Sequence, residues 1–329
     1  MLNGKSILVT GGTGSFGSGF IKYIQKNNLK FKKIIIFSRD EFKQDILEKK
    51  ISKNIKSKFR FFLGDVRDKS RMISAFKDVD IVIHAAALKQ VPKAEYDPFE
   101  FIQTNILGAQ NVISASLECG VKKVIALSTD KASSPINLYG ATKLCSDKLF
   151  ISANNIKGFN DVIFSVIRYG NVLGSRGSFL PELKKNKKIS LVTNDKMTRF
   201  NISLDEAIKL TLWTIKNSIG GEIVVPKIPS YKIIDFVKAV NPNSKIKIIG
   251  IRPGEKIHEE MISLNENSNT IELKDKYLVL SNLLKEKLFK YYKKKFSAKK
   301  VDKNFSYSSD KNIFLSVDEI KKIVNKNDS

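Results

Sequence analysis

Cysteine and histidine are scarce in this chain of 329 residues, which contains two of each. The cysteines, Cys119 and Cys145, are too few for a disulfide framework and fit a reducing compartment. The segment His258-Glu259-Glu260 resembles half of a metal motif, but the second histidine and any cysteine cluster are missing. We therefore predict a protein without disulfides and without a metal site.

Long apolar segments are also missing. No apolar stretch approaches the roughly 20 residues that a membrane-spanning helix needs. The first predicted strand begins at Ser6, which leaves no room for a signal peptide. With 42% hydrophobic residues the chain can bury a full core, so we expect a globular, cytoplasmic protein with one large and one smaller domain.

Acidic residues are outnumbered, with 33 Asp and Glu against 58 Lys and Arg, and the net charge is +25. A basic surface can serve nucleic-acid binding or can attract anionic small substrates. The lysines are spread along the whole chain, although residues 285–300 are denser and carry aromatic residues at helical spacing. We interpret the charge as a compositional bias of the surface and predict no nucleic-acid partner.

A glycine-rich motif follows the first predicted strand. Ser6–Thr10 leads directly into Gly11-Gly12-Thr13-Gly14-Ser15-Phe16-Gly17, and a helix is predicted from about Phe16 to Lys26. Glycines let the backbone approach a pyrophosphate, whose charge meets the helix N-terminus. Strand, glycines and helix in this order indicate a dinucleotide-binding site.

The end of the second predicted strand, Lys33–Phe37, bears on the choice of dinucleotide. An acidic side chain there binds the free ribose of NAD, whereas Arg or Ser suits the 2′-phosphate of NADP. Ser38 and Arg39 stand at this position, and Lys43 adds a second cation. Asp40 lies slightly too far beyond the strand end to bind the ribose as the acidic residue, so we expect NADP.

Two further predicted strands end in residues that suit a dinucleotide. Phe59–Leu63 precedes Asp65, which can accept from the adenine amino group or cap the next helix. Asp80–His84 precedes three alanines, among them Ala86, that allow a dinucleotide to pass closely. We interpret His84 as a packed, structural histidine.

The alternation of strands and helices before residue 170 predicts an α/β fold with a doubly wound parallel sheet. We place an NADP-binding domain at residues 1–177. Residues 178–329 are predicted to form mainly a smaller substrate-binding lobe and a C-terminal extension, with residues 200–215 packing back on the large domain.

The candidate catalytic residues follow the fifth predicted strand. Val124–Leu127 is a continuous apolar run, and Ser128-Thr129-Asp130-Lys131 stands at its end, where open α/β sheets bind ligands. A helix predicted to open near Tyr139 places Lys143 on the same face. A neighbouring ammonium lowers the pKa of a tyrosine, so Tyr139 can exchange a proton with a substrate hydroxyl while Thr129 holds that oxygen.

Three arginines later in the chain are candidates for binding a diphosphate. Arg176, Arg199 and Arg252 each offer a rigid fork of donors that suits phosphate oxygens. Each alone is most simply a surface charge, but together with a substrate lobe they can hold a diphosphate.

Taken together, these motifs resemble the extended short-chain dehydrogenase/reductase superfamily and, within it, the inverting UDP-N-acetylglucosamine 4,6-dehydratases that open pseudaminic acid synthesis. The resemblance runs from the N-terminus to about Ser263 and covers residues 264–306 only weakly. The stretches that carry it are His84–Lys89 (HAAALK), Leu127–Ala132 (LSTDKA), Asn137–Lys143 (NLYGATK), Arg168–Val172 (RYGNV) and Ile251–Lys256 (IRPGEK).

The resemblance implies an NADP-dependent hydro-lyase that acts on UDP-N-acetylglucosamine, inverts C5 and gives UDP-2-acetamido-2,6-dideoxy-β-L-arabino-hex-4-ulose. It implies that Lys131 removes the C5 proton and that Asp130 protonates the departing O6. A lysine is a useful base only if its pKa falls, which we expect from the cation of Lys143 and the desolvated cleft.

The resemblance also implies a homo-oligomer and two sets of binding residues. The cofactor-binding set is Gly11, Thr13, Gly14, Ser15, Phe16, Gly17, Ser38, Arg39, Lys43, Asp65, Val66, Ala86, Lys89, Tyr139, Lys143 and Val172. The substrate-binding set is Lys89, Thr129, Asn171, Arg199, Arg252 and Glu255.

Two alternatives stay open. A UDP-sugar 4-epimerase only removes and returns a hydride at C4, and the pair Asp130-Lys131 argues against it. A non-catalytic relative that binds RNA through its basic surface has no need of an intact set of Thr129, Tyr139 and Lys143.

Overall fold

Apolar strands alternating with amphipathic helices build the first half of the molecule, and the computed structural model describes residues 2–175, 179–185 and 188–328. Arg176 and the predicted domain boundary between residues 177 and 178 lie outside these ranges.

Within the described ranges the strands are β1 (Ser6–Thr10), β2 (Lys33–Ser38), β3 (Phe59–Leu63), β4 (Ile81–His84), β5 (Lys123–Thr129), β6 (Ile163–Tyr169), β7 (Asn171–Val172), β8 (Ile189–Val192), β9 (Thr198–Ile202), β10 (Glu222–Pro226), β11 (Ser230–Lys232), β12 (Lys245–Ile248), β13 (Glu260–Ile262), β14 (Thr270–Glu272), β15 (Lys276–Leu280), β16 (Lys299–Lys300) and β17 (Tyr307–Ser308). The α-helices are α1 (Ser15–Lys26), α2 (Glu41–Lys49), α3 (Lys53–Lys56), α4 (Lys69–Phe76), α5 (Val91–Tyr96), α6 (Pro98–Phe101), α7 (Gly108–Glu118), α8 (Leu138–Ile156), α9 (Phe179–Lys185), α10 (Leu204–Asn217), α11 (Ile233–Val240), α12 (Lys285–Phe296) and α13 (Val317–Asp328).

Ten of these strands form one sheet in the order β16-β14-β15-β10-β6-β5-β4-β1-β2-β3. Neighbours from β3 to β10 are parallel, whereas β15, β14 and β16 extend the sheet in antiparallel pairs. The strand order reverses between β1 and β4, and open α/β sheets bind ligands at such a switch point. The predicted fold, α/β with a doubly wound parallel sheet, is confirmed.

The helices that cover the sheet pack on it through an apolar face. In α1 the buried residues Gly17, Phe20, Ile21 and Ile24 share such a face. The helix α10 packs against α1, β5 and β6. Among the described residues, no helix combines the length and the hydropathy needed to cross a bilayer.

The chain beyond β6 contributes to two structures. Strands β10, β14, β15 and β16 extend the large sheet. A smaller lobe contains a three-stranded sheet, β11-β9-β7, and the pairs β12-β8 and β13-β17. The helix α13 packs on α11, and the two share a separate apolar core that includes Phe236, Val237, Ile320 and Val324.

A π-helical segment, Ile102–Leu107, precedes α7 and buries Thr104 and Asn105. One local prediction differs from the structure. The suggestion that Asp65 caps the next helix is wrong, since the carboxylate of Asp68 accepts the N–H of Arg71 at the start of α4.

A buried arginine joins the large sheet to the later part of the chain. Arg168 on β6 is fully buried, and its Nη1 donates to the Met261 carbonyl at 2.9 Å. Its guanidinium pairs with Asp147 at 3.4 Å and with Glu266 at 3.0 Å. The Ser128 hydroxyl completes this group by donating to Asp147 at 2.8 Å.

We predict that Arg168→Met lowers the free energy of unfolding by about 3–5 kcal/mol, because it leaves a buried carboxylate without its counter-charge. Urea titration measures the change. The control is Lys49→Met, which breaks an exposed i,i+4 pair with Asp45 on α2 and should cost about 0–1 kcal/mol. Equal midpoints for the two variants would show that the buried pairs add no stability.

Candidate active site

The ends of the parallel strands bring the predicted site residues to one edge of the sheet. The glycine motif follows β1, the alanines follow β4, Thr129 ends β5, and Asn171 follows β6. Since β1 and β4 are neighbours, as are β5 and β6, these segments meet in space. The site therefore lies at and beside the switch point.

Close packing explains the glycines. Gly11 has φ +62°, and a Cβ there would lie 2.8 Å from the Ala86 Cα, so only glycine lets these two loops touch. A Cβ on Gly17 would lie 2.2 Å from the Gly12 carbonyl oxygen. The helix α1 then begins with Gly14 at its N-cap and has no acidic residue in its first turn. This cradle fits a pyrophosphate, which the backbone N–H groups of a helix N-terminus attract.

The end of β2 presents basic side chains. Arg39 is half-exposed and pairs with Asp65 at 3.4 Å. The carboxylate of Asp40 accepts the Lys43 N–H at the start of α2 and also pairs with the Lys43 ammonium. Ser38 is buried, and its hydroxyl accepts from Gln44.

The Asp65 carboxyl is held in its ionised form. Partial burial acts to raise its pKa, but hydrogen bonds from Arg67 and the charge of Arg39 outweigh burial and lower it. The remaining cofactor candidates line the same edge: Val66 is buried, the Ala86 N–H donates to Thr10, Lys89 is exposed, and Val172 lies on β7.

His84 is a packed histidine, as predicted. Its Nδ1 shares a 2.8 Å hydrogen bond with the Thr10 hydroxyl, and its ring packs on Phe150. Burial, with a smaller effect of Lys143, lowers its pKa to about 3, so the imidazole is neutral. On the other side of the site, Asn105 bonds both backbone groups of Leu88 and thereby fixes the loop after β4.

The helix α8 carries Tyr139 and Lys143 into the site. Its N-cap, Asn137, accepts the Gly140 N–H at 2.8 Å. The Lys143 ammonium donates to the Leu127 carbonyl at 2.9 Å, and burial lowers its pKa although Asp147 opposes this. Lys143 is thus anchored to the end of β5.

The expectation that the pKa of Tyr139 is lowered is wrong. Burial raises it to about 12, while the charge of Lys131 and hydrogen bonding with Thr129 act in the opposite direction. Among the effects that oppose burial, the charge of Lys131 is the largest. Tyr139 is a neutral phenol in this arrangement.

Lys131 lies between two carboxylates. Its Nζ is 3.1 Å from Asp130 Oδ1 and 3.0 Å from Glu259 Oε1, and it donates to Asn171 Oδ1 at 3.4 Å. The Thr129 hydroxyl donates to the same Asp130 oxygen at 2.9 Å. Hydrogen bonds and ion pairs therefore connect Tyr139, through Thr129 and Asp130, to Lys131 and Glu259.

The pKa values of this group also differ from the expectation. Burial acts to lower the pKa of Lys131, but Asp130 and Glu259 outweigh burial and raise it, so the predicted fall does not occur here. Burial raises the pKa of Asp130 despite the lysine. Burial also acts to raise the pKa of Glu259, but the charges of Lys131 and Arg199 outweigh burial and lower that pKa. Asp130 is thus the carboxylate that takes up a proton more readily.

Two oxygens in this group are buried without a hydrogen-bond partner among the described residues. They are Asp130 Oδ2 and Glu259 Oε2. An unpaired buried carboxylate oxygen is unfavourable. Both oxygens belong to the carboxylates that hold the Lys131 ammonium.

The predicted substrate ligands occupy different environments. Arg199 is buried, and its guanidinium donates to the carbonyls of Thr198, Lys256 and Ile257. This arrangement favours a role in ordering the loop before β13 rather than direct contact with phosphate. Arg252 is exposed, and Glu255 lies 3.7 Å from Arg199.

Sequence reasoning missed the contacts that hold residues 254–260 over the site. Asn137 donates to the Gly254 carbonyl at 2.7 Å, and Lys256 donates to the Ser133 carbonyl at 2.8 Å. In the sequence, the stretch Ile251–Lys256 was the local signal that could have pointed to these contacts. Glu259 appeared only as half of a metal motif, and the described residues contain no cluster of His, Cys, Asp and Glu that could hold a metal ion.

Comparison with known proteins agrees with this geometry. The family model described as "Polysaccharide biosynthesis protein" matches residues 7–281. A Campylobacter jejuni protein (strain 81-176) named "UDP-N-acetylglucosamine 4,6-dehydratase (inverting)" is 52% identical over 95% of this chain and 94% of its own. A Rickettsia bellii protein (strain OSU 85-389) named "UDP-glucose 4-epimerase" is 40% identical over 97% of this chain and 95% of its own.

Solved structures share the architecture. The X-ray structure of Pen from Bacillus thuringiensis has a TM-score of 0.89 and 35% identity, covering 100% of this chain and 99% of its own. The structure of DesIV, a dTDP-glucose 4,6-dehydratase from Streptomyces venezuelae with NAD and TYD bound, has a TM-score of 0.67 and 18% identity over 77% of this chain and 86% of its own, which shows the fold alone. The chain belongs to the inverting UDP-N-acetylglucosamine 4,6-dehydratase family, within the polysaccharide biosynthesis proteins.

Proposed function

We propose that this protein is an NADP-dependent UDP-N-acetylglucosamine 4,6-dehydratase that inverts C5. The observation that carries the proposal is the contact between Lys131 and Asp130 beside Tyr139, at 3.1 Å between ammonium and carboxylate. This pair supplies a base and an acid, which an elimination needs and a 4-epimerase does not. The 52% identical relative that bears this name supports the same conclusion.

Tyr139 and Thr129 serve the first half-reaction at C4. Tyr139 accepts the proton of the C4 hydroxyl, and Thr129 holds that oxygen. Because burial raises the pKa of Tyr139 to about 12, the phenolate needs a nearby cation, and Lys131 is the one that acts on it. The C4 ketone that results makes the neighbouring C5–H acidic.

Lys131 and Asp130 serve the elimination. The C5–H bond breaks and its proton passes to the neutral Lys131 amine, while the C6–O6 bond breaks and O6 takes the Asp130 proton and leaves as water. The residues are then an ammonium and a carboxylate, as the structure has them. Transfer of one proton from Lys131 to Asp130 across 3.1 Å restores both base and acid.

That internal transfer reconciles the raised pKa of Lys131 with its role as base. Burial penalises the ion pair and raises the pKa of Asp130, so the neutral amine and neutral acid become accessible when the cleft excludes water. Delivery of a solvent-derived proton to C5 from the opposite face then inverts that carbon.

NADP fits the residues at the ends of β1 and β2. The glycine cradle Gly11–Gly17 would hold the pyrophosphate, and Ser38, Arg39 and Lys43 would bind the 2′-phosphate. Asp40 is engaged with Lys43, which leaves it poorly placed to bind a ribose. Bound NADP supplies the reversible hydride transfer of the reaction.

The UDP group is held by residues from both sides of the cleft. Arg252 is exposed and offers its guanidinium to the diphosphate, and Lys89 follows β4 on the cofactor side. Asn171 and Glu255 lie next to Lys131 and Arg199, where they meet the sugar nucleotide. A cytoplasmic location and a homo-oligomer stay predictions.

The proposal is tested by incubating the protein with UDP-N-acetylglucosamine in deuterated water and following the sugar by NMR. The expected product is a 4-keto-6-deoxy sugar with inverted configuration and deuterium at C5. A product changed only in C4 configuration, with its C6 hydroxyl intact, would support the epimerase alternative and contradict the dehydratase.

We predict that Lys131→Ala abolishes C5 exchange and product formation, with a loss of about 10²–10⁴-fold, because the base is missing. Binding of the UDP-sugar should persist, and reduction of the nicotinamide, read from its absorbance, should be slower but still detectable, because the variant also loses the cation that favours the Tyr139 phenolate. Tyr139→Phe should lose the absorbance change as well, since it fails at C4. The control is Lys122→Ala, which removes an exposed lysine beside the other end of β5.

A rate near wild type with intact C5 exchange in Lys131→Ala would show that another group is the base.

We predict that the protein prefers NADP to NAD by at least tenfold in affinity, about 1.4 kcal/mol, because Arg39 meets the 2′-phosphate. Arg39→Ala should remove this preference by weakening NADP alone. Calorimetric titration of cofactor-free protein measures both affinities, with Arg60→Ala, at the other end of the neighbouring strand β3, as the control. A tenfold preference for NAD would instead assign Asp40 to the ribose.

A further inference from the structure

Glu259 is fixed in the site by its own backbone. Its N–H donates to the Ser309 hydroxyl at 2.9 Å, and its carbonyl accepts the Ser309 N–H at 2.8 Å. That hydroxyl also bonds Thr198 on β9 at 2.7 Å. The residue is 2% exposed, so its carboxylate has little freedom to move toward solvent.

The carboxylate of Glu259 is directed at the proposed base. Its Oε1 is 3.0 Å from Lys131 Nζ and 3.7 Å from Arg199 Nε. Its Oε2 has no hydrogen-bond partner among the described residues. One oxygen thus links the lysine to a buried arginine.

The two carboxylates on Lys131 are not equivalent. Glu259 has a second cation, Arg199, whereas the second partner of Asp130 Oδ1 is the neutral Thr129 hydroxyl. A proton that leaves Lys131 therefore goes to Asp130, because Glu259 stays ionised beside Arg199. The Glu259 carboxylate can accept an N–H of the lysine in either protonation state.

We propose that Glu259 is a positioning residue that holds the Lys131 amine in place for proton removal at C5 and sets the pH at which that amine becomes available. Arg199 keeps Glu259 ionised, which leaves Asp130 as the acid. This inference rests on the proposed function, since it assumes that Lys131 is the base.

The charged and titratable surroundings of Lys131 come from every element packed around it. Asp130 belongs to the same loop, Tyr139 to α8, Arg199 to β9, Tyr231 to β11, and Lys256 and Glu259 to the segment before β13. Only Asp130 and Glu259 place a carboxylate oxygen within 4 Å of its Nζ among the described residues. Removal of either negative charge disfavours the ammonium.

The test is the pH dependence of C5 deuterium exchange in Glu259→Gln and Glu259→Asp. The glutamine keeps an acceptor for the Lys131 N–H but lacks the charge. The Lys131–Asp130 pair works as base and acid only when it shares a single proton, and without the Glu259 charge it gives up its second proton at lower pH. We expect the acidic limb of the profile to move down by about one pH unit or more, with the plateau rate nearly kept. The Glu259→Asp variant keeps the charge but has a shorter side chain. The acidic limb of its pH profile should therefore stay in place while its plateau rate falls.

Glu259→Ala removes both charge and acceptor. The acidic limb of its pH profile should move as in Glu259→Gln. Its plateau rate should fall by about 10²-fold, because the Lys131 amine is no longer held in place. The KM for UDP-N-acetylglucosamine should change little. The matched control is Glu260→Gln, whose carboxylate accepts from Ser134 at 2.7 Å, and its limb should not move.

Thermal unfolding identifies any of the three Glu259 variants that fails to fold. The pH profiles of the other Glu259 variants then decide the question. An acidic limb that stays in place in Glu259→Gln, or that moves equally in Glu260→Gln, overturns this inference while leaving the dehydratase intact. Retained turnover in Lys131→Ala overturns the base assignment itself and this inference with it.

Discussion

An ammonium held between two buried carboxylates is the interaction on which the site depends. Lys131 can occupy that position because β5 ends immediately before it and because the segment before β13 brings Glu259 to within 3.0 Å. Two further contacts, Asn137 with Gly254 and Lys256 with Ser133, hold these two loops together. The candidate site is thus assembled from parts of the chain that are 117 or more residues apart.

This assembly explains why the chain beyond the first nucleotide-binding strands matters for chemistry. The large sheet supplies the cofactor cradle and the ends of β5 and β6, but it supplies neither Glu259 nor Arg199. The later segments anchor themselves to the sheet through Arg168, which reaches Glu266 and the Met261 carbonyl from β6. Lys131 is therefore held between its two carboxylates only when both parts of the chain are folded against each other.

Local secondary structure could be predicted from the sequence, whereas contacts between distant parts of the chain could not. The strand Phe59–Leu63 and the helix that opens near Tyr139 depend on local sequence, so both appear where expected. The pKa of Tyr139 was predicted wrongly because burial raises it, and the i,i+4 spacing with Lys143 does not show how deeply the hydroxyl is buried. No local pattern indicates that Glu259 meets Lys131, since that contact depends on tertiary folding.

The unpaired oxygens of the site show how stability and function conflict there. Asp130 Oδ2 and Glu259 Oε2 are buried without a partner among the described residues, and each such oxygen costs about 1–3 kcal/mol or more. Apolar residues of similar volume would often be as stable or more stable than a buried ion pair. They could not exchange a proton, however, and the burial that makes the ion pair costly is also what raises the pKa of Asp130. The same desolvation therefore destabilises the fold locally and makes a carboxylic acid available as a proton donor.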